Sequence, residues 1–146
     1  MKKNLVLTGM MGVGKSTIGK KLAKKLKLKF IDTDHLIEIK EKSTIKEIFE
    51  NKGENYFRKV EKKIIFEELK KSNLIIALGG GAFINVSTKK KIKDTCISFW
   101  LDLKVDTLLN RLKNVTKRPL LDKDQLEKSV KKIYSERKKI YNESNF

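Results

Sequence analysis

Residues 9–17 read GMMGVGKST, between an apolar stretch at 4–8 (NLVLT) and a segment at 16–26 in which Ile18, Leu22 and Leu26 recur at helical spacing with lysines on the other faces. A short apolar run stopped by glycines has the pattern of a buried strand, and the period that follows is that of an amphipathic helix. Between them, Gly9, Gly14, Lys15 and Ser16 fit the phosphate-binding spacing of glycine, four residues, glycine, lysine and serine or threonine. Glycines let the backbone curl so that successive N–H groups point inward, and the helix N-terminus adds a positive dipole. Gly12, Val13, Gly14, Lys15, Ser16 and Thr17 are therefore expected to cradle a polyphosphate, with Lys15 reaching its β- and γ-phosphates and Ser16 ligating Mg2+. The competing explanation is a glycine-rich turn with an accidental match; the flanking strand and helix speak against it.

The same pattern continues along the chain. Residues 28–31, 74–78 and 96–101 read as three further strands, and helices are expected at 36–42, 45–50, 54–71, 87–93, 105–112 and 125–141. The helix at 54–71 carries Phe57, Val60, Ile64 and Leu69 as its inner stripe. Continuously apolar strands alternating with helices predict an α/β fold, a parallel sheet covered on both faces, with ligands beyond the carboxyl ends of the strands. A length of 146 residues corresponds to one domain, 1–146. Pro119, the single proline, stands in a polar stretch and marks no linker. The N-terminal apolar run is broken by Gly9, Gly12 and Gly14 and does not read as a secretory signal. No run approaches the ~18 apolar residues of a membrane span. Cys96 alone builds neither an intrachain disulfide framework nor a multi-cysteine zinc site, and the expected compartment is the cytoplasm.

A net charge of +17 raises the question of nucleic acid. Of the 35 basic residues, however, 31 are lysines spread over nearly every segment. A diffuse lysine coat is ordinarily a solvated surface, whereas recognition of nucleic acid favours the arginine fork. No specific nucleic-acid partner is expected. The four arginines, at 58, 111, 118 and 137, are the informative cations, because they suit two-pronged binding of anions.

Asp32 and Asp34 lie at the end of the second strand, where an extended segment would point both the same way. Asp32 is assigned to hydrated Mg2+ and Asp34 to a proton or hydroxyl of the acceptor. Asp34 could instead cap the helix before Leu36, and the two roles are compatible. Gly79, Gly80 and Gly81 end the third strand and permit a ligand to touch the main chain, although a flexible turn would look the same. Arg58 precedes Glu61 by three residues, a spacing for a guanidinium oriented by a carboxylate or for a plain surface ion pair. Arg118 sits in a basic segment, about 113–124, placed between two helices as a lid would be. Arg137, four residues before Tyr141, either binds an anion or covers its helix with its stem. His35 lacks a second ligand and reads as structural, Cys96 as core, and Trp100 as packing.

Taken together, GMMGVGKST, DTD at 32–34, Phe57 and Arg58 with Glu61, GGGA from Gly79, RPLL from Arg118, and Arg137 with Tyr141 closely resemble the shikimate kinase family. The resemblance runs from Asn4 to Tyr141. It implies a three-layer α/β/α, nucleoside-monophosphate-kinase-like fold with five parallel strands, four of which are read here. It also implies ATP-dependent phosphorylation of the 3-hydroxyl of shikimate, on the route to chorismate and aromatic amino acids, with one Mg2+ per subunit in a monomer. Carried over by position, Asp34 would contact the shikimate hydroxyls, and Arg58, Gly80, Gly81 and Arg137 would complete the site, with Gly79 and Glu61 beside them. Phe49 and Phe57 would wall the ring. Arg118 would be the lid arginine and Arg111 the one against adenine, and the shikimate-binding region would span about 33–61.

The departure lies at the end: family members usually continue past this point with another strand and helix that also contribute to the adenine pocket. Four strands would expose an edge and apolar surface, so lower stability or looser ATP binding is expected unless a partner chain fills the place or the sequence is a truncated version. The rival readings are a gluconate kinase of the same fold and a nucleic-acid-binding protein. The DTD, GGG and arginine pattern opposes the first, and the lack of a stacking aromatic cluster opposes the second.

Overall fold

The computed structural model describes residues 3–113 and 125–146. Its elements follow in the order β1 (Asn4–Thr8), α1 (Lys15–Leu26), β2 (Lys29–Asp32), α2 (Thr33–Glu41), α3 (Ile45–Leu69), β3 (Leu74–Ala77), α4 (Val86–Thr95), β4 (Cys96–Trp100), α5 (Val105–Leu112) and α6 (Leu126–Tyr141), with a 3-10 turn at Ala82–Ile84 before α4. The strands form one parallel sheet in the order β2-β3-β1-β4. β1 and β3 are therefore central neighbours, and the loops leaving them, the phosphate loop and the Gly79–Gly81 run, emerge side by side. Arg118 and residues 114–124 of the expected lid lie outside the described residues.

Alternation along the strands makes the three layers. Leu7 and Ile75 face α1 with Ala23, whereas Val6, Ile31, Leu74, Ile76 and Cys96 face a larger core built from α3, α4, α5 and α6. Ile75 and Ile76 are both 0% exposed and point to opposite faces, so each layer gains an anchor of roughly 1.5–3 kcal/mol. A satellite cluster of Ile37, Ile48, Phe57 and Ile64 packs α2 against α3. Thr44 opens α3 with a reciprocal capping box to Glu47. The two helices expected at 45–50 and 54–71 form one element broken at Gly53, whose backbone is non-helical (φ 82, ψ 170). Beside the free side of β4, the Phe146 N–H donates to Ser98 O, Trp100 N–H donates to Phe146 O, and the Phe146 ring stacks on Phe99 at 5.3 Å.

Two local expectations are corrected. The inner face of α1 is only partly the stripe of Ile18, Leu22 and Leu26: Gly19 and Ala23 are buried and Leu22 packs beside them, while Ile18 and Leu26 are 43% and 45% exposed. The helix lies so close to the sheet that a Cβ on Gly19 would collide with the Phe30 ring, which turns the large residues outward. The second correction concerns Asp32 to Asp34. The extended segment ends at Asp32, which caps α2 itself, and Asp34 stands in the first helical turn.

Candidate active site

The phosphate loop turns between β1 and α1 with positive φ at Gly9, Gly12 and Gly14. Lys15 Nζ donates to the carbonyls of Gly9 and Met10, both at 2.8 Å, so the ammonium is held over the loop. Val13 is buried in the core and contributes its backbone. From the other side, Arg111 Nη1 donates to Val13 O at 3.1 Å and Gly12 O at 3.3 Å, which places a second cation on the loop. Gly12, Gly14, Lys15, Ser16, Thr17, Asp32 and Arg111 line a cavity of about 500 Å³. Backbone donors, a helix N-terminus and two cations make this the place for a polyphosphate.

Asp32 divides its two oxygens. Oδ1 accepts from the N–H groups of Asp34 at 3.0 Å and His35 at 3.3 Å, and Oδ2 accepts from the Ser16 hydroxyl. The cap thus fixes the carboxylate beside the serine, two hard oxygen donors at the rim of the phosphate cavity. The His35 side chain is exposed at that rim.

The Gly79–Gly81 run forms a shelf bare of Cβ atoms, on which four charged groups converge. A Cβ on Gly79 would lie 2.5 Å from Asp34 Oδ1 and 3.1 Å from Glu61 Oε2; one on Gly81 would lie 2.5 Å from Arg58 Nη2. On Gly80 a Cβ would meet Arg137 Nη1 at 3.4 Å. The shelf is pinned from the start of α2 by Thr33, whose Oγ1 accepts from Gly79 N–H at 3.0 Å, and from α6 by Tyr141, which donates to Gly80 O at 2.5 Å. Burial pushes the Tyr141 phenol up, so it remains a donor. Arg58 Nη1 donates to Glu61 Oε1 at 2.8 Å, and burial pushes the Glu61 carboxyl up to about 7 against the opposing pull of Arg58.

A cavity of about 270 Å³ covers this shelf, lined by Asp34, Phe49, Phe57, Arg58, Glu61, Gly79, Gly80, Gly81 and Arg137. Phe49 and Phe57, with centroids 4.8 Å apart, make its apolar wall. Met11, Asp34, Glu38 and Gly80 line both cavities, so the two meet beside the Asp34 carboxylate. The residues singled out from the sequence thus divide into a phosphate side and a shelf side, with Asp34 and Gly80 shared; Arg118 lies outside the described residues. Sequence reasoning missed Met11, Thr33, Glu38, Thr44, Ile45 and Lys46. Glu38 accepts from Ile45 N–H at 3.1 Å and so ties α2 to the start of α3, a contact without a local sequence signal. Cys96 and Trp100 lie in the sheet and line neither cavity.

A phosphate loop at the switch of a parallel sheet, with an acceptor cavity opening onto it past one carboxylate, defines a P-loop phosphotransferase. More narrowly, the chain belongs to the shikimate kinase family: the family model described as "Shikimate kinase" matches residues 11–146. The chain is 47% identical to a shikimate kinase of Sulfurihydrogenibium sp. over 143 residues, 98% of this chain and 85% of that one. It is 43% identical to the one of Persephonella marina over 95% of this chain and 84% of that protein. Among solved structures it is similar to shikimate kinase from Acinetobacter baumannii in complex with shikimate, with a TM-score of 0.95, 35% identity, and 98% and 80% of the two chains covered. A gluconokinase from Sinorhizobium meliloti 1021, with a TM-score of 0.58 and 16% identity over 90% of this chain and 74% of that one, shares the fold alone.

Proposed function

We propose that the protein transfers the γ-phosphoryl group of ATP to the 3-hydroxyl of shikimate, giving shikimate 3-phosphate and ADP on the route to chorismate and aromatic amino acids. The observation that carries this reading is the meeting of the two cavities at Asp34, with Arg58 and Arg137 on the far side of the shelf. Two guanidiniums suit the acceptor's carboxylate, and Phe49 and Phe57 suit the apolar face of its ring.

Lys15 and the loop N–H groups hold the β- and γ-phosphates. Asp34 orients the acceptor hydroxyl and takes its proton as the new phosphorus–oxygen bond forms and the bond from the γ-phosphorus to the bridging oxygen breaks. Ser16 and Asp32 fit Mg2+, one per subunit: they are two hard oxygens, and Mg2+ usually completes its shell with phosphate oxygens and water. When bound, the ion neutralises charge on the phosphates. Arg111 is assigned to the nucleotide. Arg118, within the lid of about 113–124, is assigned to the transferring phosphoryl group.

One domain spanning 1–146, an acceptor region of about 33–61, a monomer and a cytoplasmic location complete the proposal, with no specific nucleic-acid or membrane partner. Among the described residues no helix is long and apolar enough to cross a membrane. The test is steady-state ADP release with ATP and Mg2+, with and without shikimate. Release that depends on shikimate supports the reading, and equal release in both mixtures overturns it.

A further inference from the structure

Glu61 is only 3% exposed, yet its two oxygens have different surroundings. Oε1 accepts from Arg58, whereas Oε2 is buried and has no hydrogen-bond partner among the described residues. A carboxylate oxygen buried without a donor is costly, and this one shares the bare face of Gly79 with Asp34 Oδ1, part of a second carboxylate. A proton on Oε2 resolves both problems, since it turns an unmatched acceptor into a donor and removes a like charge. The charged groups around it are Arg58, backed by Glu54, from α3, Asp34 from α2 and Arg137 from α6. Arg137 Nη1 is likewise buried without a hydrogen-bond partner. The nearby Tyr141 hydroxyl is occupied by Gly80 O.

We infer that the acceptor's carboxylate binds with uptake of one proton from solvent onto Glu61 Oε2, so that Glu61 sets the charge of the acceptor site and frees Arg58 for the anion. This rests on the proposed function above. With Glu61 ionised, Arg58 and Arg137 face Glu61 and Asp34 and these four groups sum to zero, Glu54 being half exposed and screened by solvent; one proton leaves a single positive charge against the single negative charge of the acceptor. The step forms one O–H bond and breaks none in the acceptor. Burial already holds the carboxyl near neutrality in the unliganded protein. An anion at Arg58 raises it further, both by its own charge and by drawing away the guanidinium. The bound state therefore holds more protons than the free state, and affinity falls as pH rises through the free value, by up to ~10-fold per pH unit. Glu61 is in this sense a positioning residue.

The experiment is calorimetric titration of the full chain with shikimate at about pH 7.5 in phosphate and in Tris, buffers of very different ionisation enthalpy. The expected result is an apparent enthalpy that tracks the buffer, with net proton uptake of roughly 0.5–0.8 per shikimate, and a Kd that rises ~3–10-fold from pH 7.5 to 8.5. In Glu61→Gln, a neutral isostere, the proton uptake should vanish and the Kd should become flat with pH. Shikimate that binds wild type with a buffer-independent enthalpy overturns proton uptake while leaving the functional reading intact, and this arm needs no variant. Uptake that persists in Glu61→Gln overturns the assignment to Glu61. No binding in either buffer overturns the acceptor reading and this inference with it.

Discussion

The Tyr141 hydroxyl donates to the Gly80 carbonyl at 2.5 Å, fastening α6 to the acceptor shelf one turn beyond Arg137. Tyr141 is itself fully buried, and its hydroxyl is the donor the shelf carbonyl uses. Tyr141→Phe is expected to lower the unfolding free energy by about 1 kcal/mol, because the half-buried Gly80 carbonyl loses its donor. The KM for shikimate should rise while that for ATP changes little, since Arg137 loses its register. Urea unfolding and the two KM values check this; an unchanged shikimate KM would mean that α6 is placed by its apolar contacts alone.

Gly79→Ala tests whether the shelf must be bare. The added methyl would lie 2.5 Å from Asp34 Oδ1, so the carboxylate must move, and kcat should fall on the order of 100-fold through misplacement alone. Binding of ATP to the phosphate loop should survive. Near-normal kcat would show that Asp34 has room to spare.

Asp34→Asn keeps the shape of the side chain and removes its basicity. If Asp34 takes the hydroxyl proton, turnover should drop at least ~100-fold with the shikimate KM changing far less. Turnover close to wild type would remove Asp34 from the proton-transfer role.

Asp32 has two tasks that one substitution can separate. Asparagine is as good an N-cap as aspartate, so Asp32→Asn should leave thermal stability within about 0.5 kcal/mol, whereas Asp32→Ala should lose about 1 kcal/mol. Both variants should need more Mg2+ for half-maximal rate, because the charged oxygen beside Ser16 is gone. An unchanged Mg2+ requirement in both would argue against Asp32 as a ligand.

Glu61 also predicts how stability varies with pH in the absence of any ligand. Its carboxyl is raised from 4.5 to about 7 in the fold, chiefly by burial, so the folded chain keeps a proton that the unfolded chain has lost. Its contribution to stability is complete below about 4.5, declines as pH rises to about 7, and is level above that. Across this window Glu61→Gln should gain roughly 3 kcal/mol relative to wild type, read as the difference between two urea titrations. A difference that stays flat with pH would place the group near its ordinary value.

Much of the architecture was legible because it is local. The four strands are short apolar runs, and the break at Gly53 falls between the two expected helices because a residue with φ near +82 ends a helical pattern wherever it stands. The misreadings are local rules overridden by contacts. In α1 the sequence carries an apolar stripe, yet close approach of Gly19 to Phe30 decides which face is inward. At Asp32 and Asp34 the alternating strand rule reaches two residues too far, since a capping carboxylate at Asp32 lets the helix begin at Thr33.

The sequence by itself determined the phosphate loop, the parallel α/β order and the resemblance to one kinase family, because each rests on spacing within a few residues or on motifs in fixed sequence. The tertiary structure decided what those motifs do to one another. Glu61 and Gly79 are far apart in the chain, and Gly80 and Tyr141 farther still; only the packing of α3 and α6 over the ends of β1 and β3 brings them into contact. Whether a carboxylate is hydrated or buried without a donor depends on everything packed around it, and at Glu61 that environment, which no spacing encodes, sets the charge.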